Sequence, residues 1–403
     1  MRRLLTIWFA WLVLMAGANL ATPLYPVYAE RFRFSPLVLT AIFATYAVVL
    51  VPALVLFGRL SDRFGRRPVV VAGLATACLG LALFAAARSE WWLFGARAVQ
   101  GLAVGMISGA ATAALVELDP RGSRRRAALG AGLAQAGGSA LGPLGGGVLA
   151  EWAPDPLRLG YLVTLALTAA AAAFVLRLDE RREGAREPWR PQWPRVPAEI
   201  RGPFLRLGLT AGAVWAAVAL FLSIVPSYAE SLLRTRNLAL VASLGALALL
   251  TSFAAQAVAE RQEVDHRRDQ AMGCILLALG LGGLVAAAPT GSLALLASGA
   301  FVTGLGHGLA FLTAQQELNE LAPAERRGEV TAAFIACIYL LVATFVVASG
   351  LLGSLFSLNT AVEAVGGTLI AVALATAAWH AVTPRAGAPT RRAAAPRSAA
   401  ARR

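Results

Sequence analysis

The sequence predicts an all-α polytopic membrane protein with twelve transmembrane helices, arranged as two parallel-related six-helix bundles. Three observations point there. The 403 residues are 58% hydrophobic and only 14% charged, where a soluble protein would carry about a quarter charged residues. Twelve apolar segments of roughly 20 residues each are long enough to cross a hydrocarbon core about 30 Å thick. The second set of six repeats features of the first at a constant offset.

The expected spans are 4–28, 37–57, 68–87, 91–116, 127–150, 158–178, 204–226, 238–258, 271–288, 292–315, 329–353 and 360–383. The first follows a basic start, "MRRLL", and ends in small residues, as a signal peptide would. It runs on to about Tyr28 with eleven more spans behind it, so it reads as an uncleaved helix. The charged residues cluster between the apolar segments. Cys78, Cys274 and Cys337 all fall inside spans and read as small buried apolar residues.

All 36 basic residues are Arg, and they punctuate the spans. With the N-terminus in the cytoplasm, the inner segments hold 29 Arg and the outer segments 6. This bias places both termini in the cytoplasm of a bacterial plasma membrane. Orientation signalling accounts for the net charge of +14 without nucleic acid.

At an offset of 203, "GLAVG" at 101–105 meets "GLGHG" at 304–308. Glu117, Leu118, Pro120 and Arg124 recur as Glu320, Leu321, Pro323 and Arg327. Pro23, Tyr25 and Asp62 recur as Pro226, Tyr228 and Asp265. The chain therefore divides into an N-terminal bundle (1–178), a cytoplasmic linker (179–203), a C-terminal bundle (204–383) and a basic disordered tail (384–403). The linker spaces Pro188, Pro191, Pro194 and Pro197 by three, which suits a stiff segment on the membrane surface.

Between the second and third spans lies "GRLSDRFGRRP". Gly58 lets a neighbouring helix approach, Gly65 permits positive φ, and Asp62 sits where helix N-termini carry partial positive charge. This stretch resembles the signature loop of the major facilitator superfamily, roughly G-x-L-x-D-R-x-G-R-R. The matching positions are Gly58, Leu60, Asp62, Arg63, Gly65, Arg66 and Arg67. The resemblance implies an ionic gate at the inner side. Its counterpart "RQEVDHRRDQA" at 261–271 keeps Asp265 and lacks both glycines, so the gate is expected to be asymmetric.

In the fifth span, Gly130, Ala134, Gly138, Gly142 and Gly146 recur every four residues, giving one bare face for close packing. Pro143 bends the helix. "GSALGPLGG" at 138–146 also resembles the G-x-x-x-G-P-x-x-G-G motif of the twelve-helix drug:proton antiporter branch, assigned to Gly138, Gly142, Pro143, Gly145 and Gly146. The equivalent 341–349, "LVATFVVAS", lacks it. The resemblance implies proton-coupled efflux of a small drug-like or metabolite molecule by alternating access. An uptake permease for a sugar or organic ion is the alternative.

Candidate coupling or substrate residues are Asn19 and Tyr25 in the first span, Arg97 and Gln100 in the fourth, and His307 in the tenth. "RAVQG" resembles the family's fourth-helix motif. An intramembrane Arg usually faces a cavity or partner, although Arg97 is close enough to the span end to snorkel. His307 is a possible proton carrier or a packed neutral residue. Glu30, Glu117, Glu230, Glu317 and Glu363 all sit near span ends.

The three histidines fall in separate regions without ligand spacing, so no metal or other cofactor is expected, and no enzyme. A Walker phosphate loop is lacking. The expected partners are a small-molecule substrate, the proton and membrane lipid, with the chain acting as a monomer.

Overall fold

The computed structural model describes residues 2–57, 60–118, 124–178, 194–261 and 265–382, and their regular structure is helical. The first group comprises α1 (Arg2–Asn19), α2 (Tyr25–Phe32), α3 (Pro36–Phe57), α4 (Leu60–Phe64), α5 (Arg66–Ala85), α6 (Glu90–Leu118), α7 (Arg124–Trp152) and α8 (Leu159–Leu176). The second comprises α9 (Arg201–Ser223), α10 (Val225–Leu233), α11 (Leu238–Ala259), α12 (His266–Thr290), α13 (Leu293–Leu321), α14 (Arg327–Leu355) and α15 (Leu358–Val382). Residues 179–193 of the expected linker and the expected tail lie outside the described residues.

Among the described residues, eleven helical segments have the length and apolarity to cross a membrane. The twelfth span is α7. Its 29 residues reach about 43 Å at 1.5 Å per residue, and eight glycines dilute its hydropathy.

The first span is two helices instead of one. α1 ends at Asn19, a 3-10 turn follows over Thr22–Leu24, and α2 restarts with Pro26 near its N-terminus. The seventh span breaks likewise at Ile224, just before Pro226. Proline lacks the donor a continuing helix needs and fits the first turn of a new one. Both short helices end on an arginine in the left-handed region, Arg33 at φ 55 and Arg234 at φ 49.

The repeat is visible in the helix bounds. Residues 90–118 and 293–321 are helices of equal length offset by 203, as are 124–152 and 327–355. Buried side chains such as Ile7, Trp11, Leu74 and Ile107 cluster within the first group. Leu207, Val214, Leu281 and Phe334 cluster within the second.

The groups meet along two seams, α7 with α11 and α3 with α14. Each seam carries the same device at equivalent positions. At the first, the Leu238 amide donates to Glu151 Oε2 at 2.8 Å, and a Cβ on Gly147 would lie 2.7 Å from the Leu238 carbonyl oxygen. At the second, the Leu37 amide donates to Ser354 Oγ at 2.9 Å, and a Cβ on Gly350 would lie 2.7 Å from the Pro36 carbonyl oxygen. Both sets lie at the end of the molecule opposite the Arg-rich loops, called the distal face below. The other end is the loop face.

Candidate functional site

Arg97, on α6, is 2% exposed and does not snorkel. Its Nε donates to the Tyr25 hydroxyl, and its Nη1 donates to the Ala18 carbonyl at 2.6 Å and to Gln100 Oε1 at 3.1 Å. The Gln100 amide donates onward to the Gly17 carbonyl at 2.9 Å. The break after Asn19 puts Tyr25 near Arg97, and the end of α1 supplies the carbonyls. The guanidinium also lies 5.4 Å from the Phe43 ring centroid and 5.8 Å from that of Tyr46. These partners include no carboxylate. A buried cation held by neutral dipoles and aromatic faces attracts an anion or an electron-rich group. Tyr46 of α3 and Tyr339 of α14 pack on the same core, so the cage adjoins the second group.

Three of the expected residues, Tyr25, Arg97 and Gln100, thus form one site. Asn19 lies apart from it. Its amide donates to the Met15 carbonyl at 3.0 Å and to Ser139 Oγ at 3.4 Å, tying α1 to α7.

His307 occupies a separate site in the second group and is 2% exposed. Its Nδ1 is 2.6 Å from Ser252 Oγ, which also accepts from the Gln256 amide at 3.2 Å. Trp215 meets the imidazole edge-on at 4.6 Å between centroids, and Phe311 stacks on it at 5.6 Å. His307 Nε2 is buried without a partner.

On α7, a Cβ on Gly138, Gly142 or Gly146 would collide with the carbonyl oxygens of Leu12, Ala16 and Leu20 respectively. Donor and acceptor helices share a four-residue step, so each glycine meets one carbonyl of α1. Gly145 has nothing within 4 Å. Counting the motif from Gly142-Pro143 puts its closing pair at Gly146 and Gly147, one residue beyond the assignment made from the sequence. Gly147 is the residue that seats against α11.

At the loop face, Gly65 has φ 94 and precedes α5. Arg66 bonds Ser61 Oγ and Glu117, the latter at 3.0 Å. Leu60 packs on the first-group core. Arg63 is exposed beside the Phe64 ring, and Arg67 is half-buried. Gly58 and the side chain of Asp62 lie outside the described residues.

One cluster escaped sequence reasoning. Arg206, counted above among the loop arginines, is buried within α9 and paired with Glu317, whose other oxygen accepts from the Gln270 amide at 2.9 Å. An Arg and a Glu on spans 111 residues apart give no local signal. His380 Nε2 lies 2.8 Å from Thr210 Oγ1, one turn along α9.

Comparison with known proteins places this architecture. Tetracycline resistance protein class C of Escherichia coli is 30% identical over 183 residues, covering 43% of this chain and 43% of that protein. Multidrug efflux pump LfrA of Mycolicibacterium smegmatis is 37% identical over 127 residues, covering 31% of this chain and 25% of that protein. The matched segments span less than half the length of these relatives. The nucleoside transporter NupG superposes with a TM-score of 0.72 at 12% identity, covering 94% of this chain and 99% of NupG. The human organic anion transporter MFSD10 gives 0.66 at 17% identity, covering 93% and 99%. These structures share the fold. The sequence pattern of the Major Facilitator Superfamily runs through residues 7–346 and again 238–402. With that pattern covering most of the chain, this multi-pass membrane protein belongs to the Major Facilitator Superfamily.

Proposed function

We propose that the chain is a secondary transporter that exports a small drug-like or metabolite molecule in exchange for protons. It acts as a monomer in the bacterial plasma membrane, with the loop face and both termini in the cytoplasm. The observation that carries this reading is the α7 strip: Gly138, Gly142 and Gly146 seat on successive carbonyls of α1, in the motif that resembles the antiporter branch. Relatives named for tetracycline resistance and multidrug efflux support export. The six-helix groups rock about their seams, exposing a central site to each side in turn. Asp62 and its neighbours close the loop face. The Arg97 cage holds a fixed charge, and His307 presents the unpartnered nitrogen that takes up the coupling proton.

The guanidinium of Arg97, hydrogen-bonded to the neutral Tyr25, Ala18 and Gln100, gives one observation for a second reading, an uptake permease for an organic anion. Purified protein in liposomes separates the two. With tetracycline and puromycin among the test compounds, an imposed pH gradient should drive substrate against the direction of proton flow. Substrate movement indifferent to that gradient would sink proton antiport. Movement with the protons would favour uptake.

A further inference from the structure

The offset of 203 hides a closer correspondence at the distal face. There "PVYAE" at 26–30 matches "PSYAE" at 226–230, an offset of 200. The two segments form α2 and α10, which share the same build: a broken entry, an early proline and a left-handed arginine cap. α2 belongs to the first group and α10 to the second, and the two helices pack on one another. Each motif places its glutamate in the last turn, where the partial negative charge of the helix end disfavours a carboxylate. Glu30 and Glu230 line one open cleft of about 390 Å³, with Ser227, Ser231, Arg234, Thr235 and Arg236.

We propose that Glu30 and Glu230 form a proton-operated latch across the distal face. A proton taken from the solvent on that side by Glu230, with Glu30 across the cleft, lets α2 and α10 stay closed, and its return to that solvent drives the groups apart. The proposal rests on the exchange reading above, and supplies a carboxylate step at the distal face.

The electrostatics around the pair agree. Burial pushes the Glu230 carboxyl above its ordinary range, Glu30 across the cleft adds to the rise, and Arg236 opposes it. The other charged groups at the distal end of these elements are Arg31 on α2 and Arg33 at its end, Arg234 at the end of α10 and Glu363 on α15, with Glu151 on α7; Arg201 and Arg206 of α9 and His380 of α15 lie toward the loop face. Glu151 is engaged with the Leu238 amide. The sign follows from linkage. A carboxyl raised in the closed form favours closure at low pH, and that preference is lost as pH rises from the ordinary carboxylate range through the raised value. In an exporter this order is productive: a proton from outside shuts the outer face after substrate leaves.

The test is a distance across the distal face of the full chain in lipid nanodiscs. Cys78, Cys274 and Cys337 are replaced by Ala, and spin labels are placed through Arg88→Cys and Thr290→Cys, away from the pair. The label distance should be short at about pH 5 and several ångströms longer at about pH 8. Glu30→Gln and Glu230→Gln should each stay short at both pH values. Glu230→Arg, which turns repulsion into attraction, should do the same and guards against a Gln variant that fails to fold. A distance insensitive to pH in the parent protein, or an unchanged pH response in the folded variants, overturns the latch. Flux driven by a pH gradient is a separate readout. If flux ignores the gradient while the distance still follows pH, the coupling reading falls and the latch stands.

Discussion

The contacts of α1 with α7 and of α9 with α14 are counterparts in the repeat, yet they are built in opposite ways. In the first group the bare face belongs to the later helix, and Gly138, Gly142 and Gly146 of α7 rest on carbonyls of α1. The same positions in α14 are Leu341, Phe345 and Ser349. There the glycines have moved to the earlier helix. A Cβ on Gly212 of α9 would collide with the Leu341 side chain, and one on Gly208 would lie 3.2 Å from Cys337 Sγ. One contact is backbone on backbone, and the other is backbone on side chain. Close backbone approach brings Cα–H groups to carbonyl oxygens along a fixed register. A side chain can change rotamer, whereas a helix carbonyl cannot step aside.

The largest effect should come from breaking that difference. Gly142→Leu drives a side chain into the Ala16 carbonyl with no yielding neighbour. Overpacking commonly costs about 1–3 kcal/mol, and a rigid partner puts this case at the upper end. Transport should be abolished and the unfolding midpoint lowered. Gly212→Ala asks only Leu341 to shift and should keep most activity. Flux and thermal unfolding of both variants, side by side, check the contrast. Equal losses would mean that the two contacts are mechanically alike.

The next comparison concerns the buried polar residues of equivalent helices. Arg97 on α6 carries a fixed charge with three hydrogen-bond acceptors around it. His307 on α13 has one nitrogen engaged and one without a partner. Arg97→Ala strands buried acceptors at about 1–3 kcal/mol each, so proton-driven flux should stop. Arg97→Lys keeps the charge without the planar fork and should restore only part of it. His307→Ala should fold normally, leave Ser252 bonded to Gln256, and flatten the pH dependence of export. Export rates across external pH decide this. A steep pH profile surviving in His307→Ala would remove the imidazole from the coupling path.

The sequence shows span positions well because apolar runs and Arg-rich loops are local signals. Even so, α1–α2 and α9–α10 read as single spans, since Pro26 and Pro226 could have kinked a helix as easily as restarted one. Arg97 and Gln100 were legible because a polar pair one turn apart in an apolar run stands out. Their partners, the carbonyls of Gly17 and Ala18, leave no trace in side-chain chemistry. Arg206 looked like loop charge because Glu317, which pairs with it, is far away in the chain. The second-half counterpart of the α7 strip looked absent because its glycines lie on a different helix.

The smallest effect should appear at the loop face. Arg66 pairs with Glu117 at 3.0 Å, and His266 with Glu320 at 3.2 Å, and the two glutamates are equivalent in the repeat. The first pair joins a guanidinium to a carboxylate. The second joins an imidazole to a carboxylate and is ionic only when the ring is protonated. Both are partly open to water, with Glu117 and Glu320 56% and 68% exposed. Pairs of this kind contribute about 0–1 kcal/mol, which limits any change in gate occupancy to roughly fivefold. Arg66→Gln should therefore slow transport modestly. His266→Gln should slow it no more than that, and His266→Arg, which makes the second pair a guanidinium–carboxylate contact like the first, should keep the parent rate. Initial rates in liposomes resolve the three. A loss well beyond about fivefold in either Gln variant would mean that these pairs do more than water-exposed contacts can.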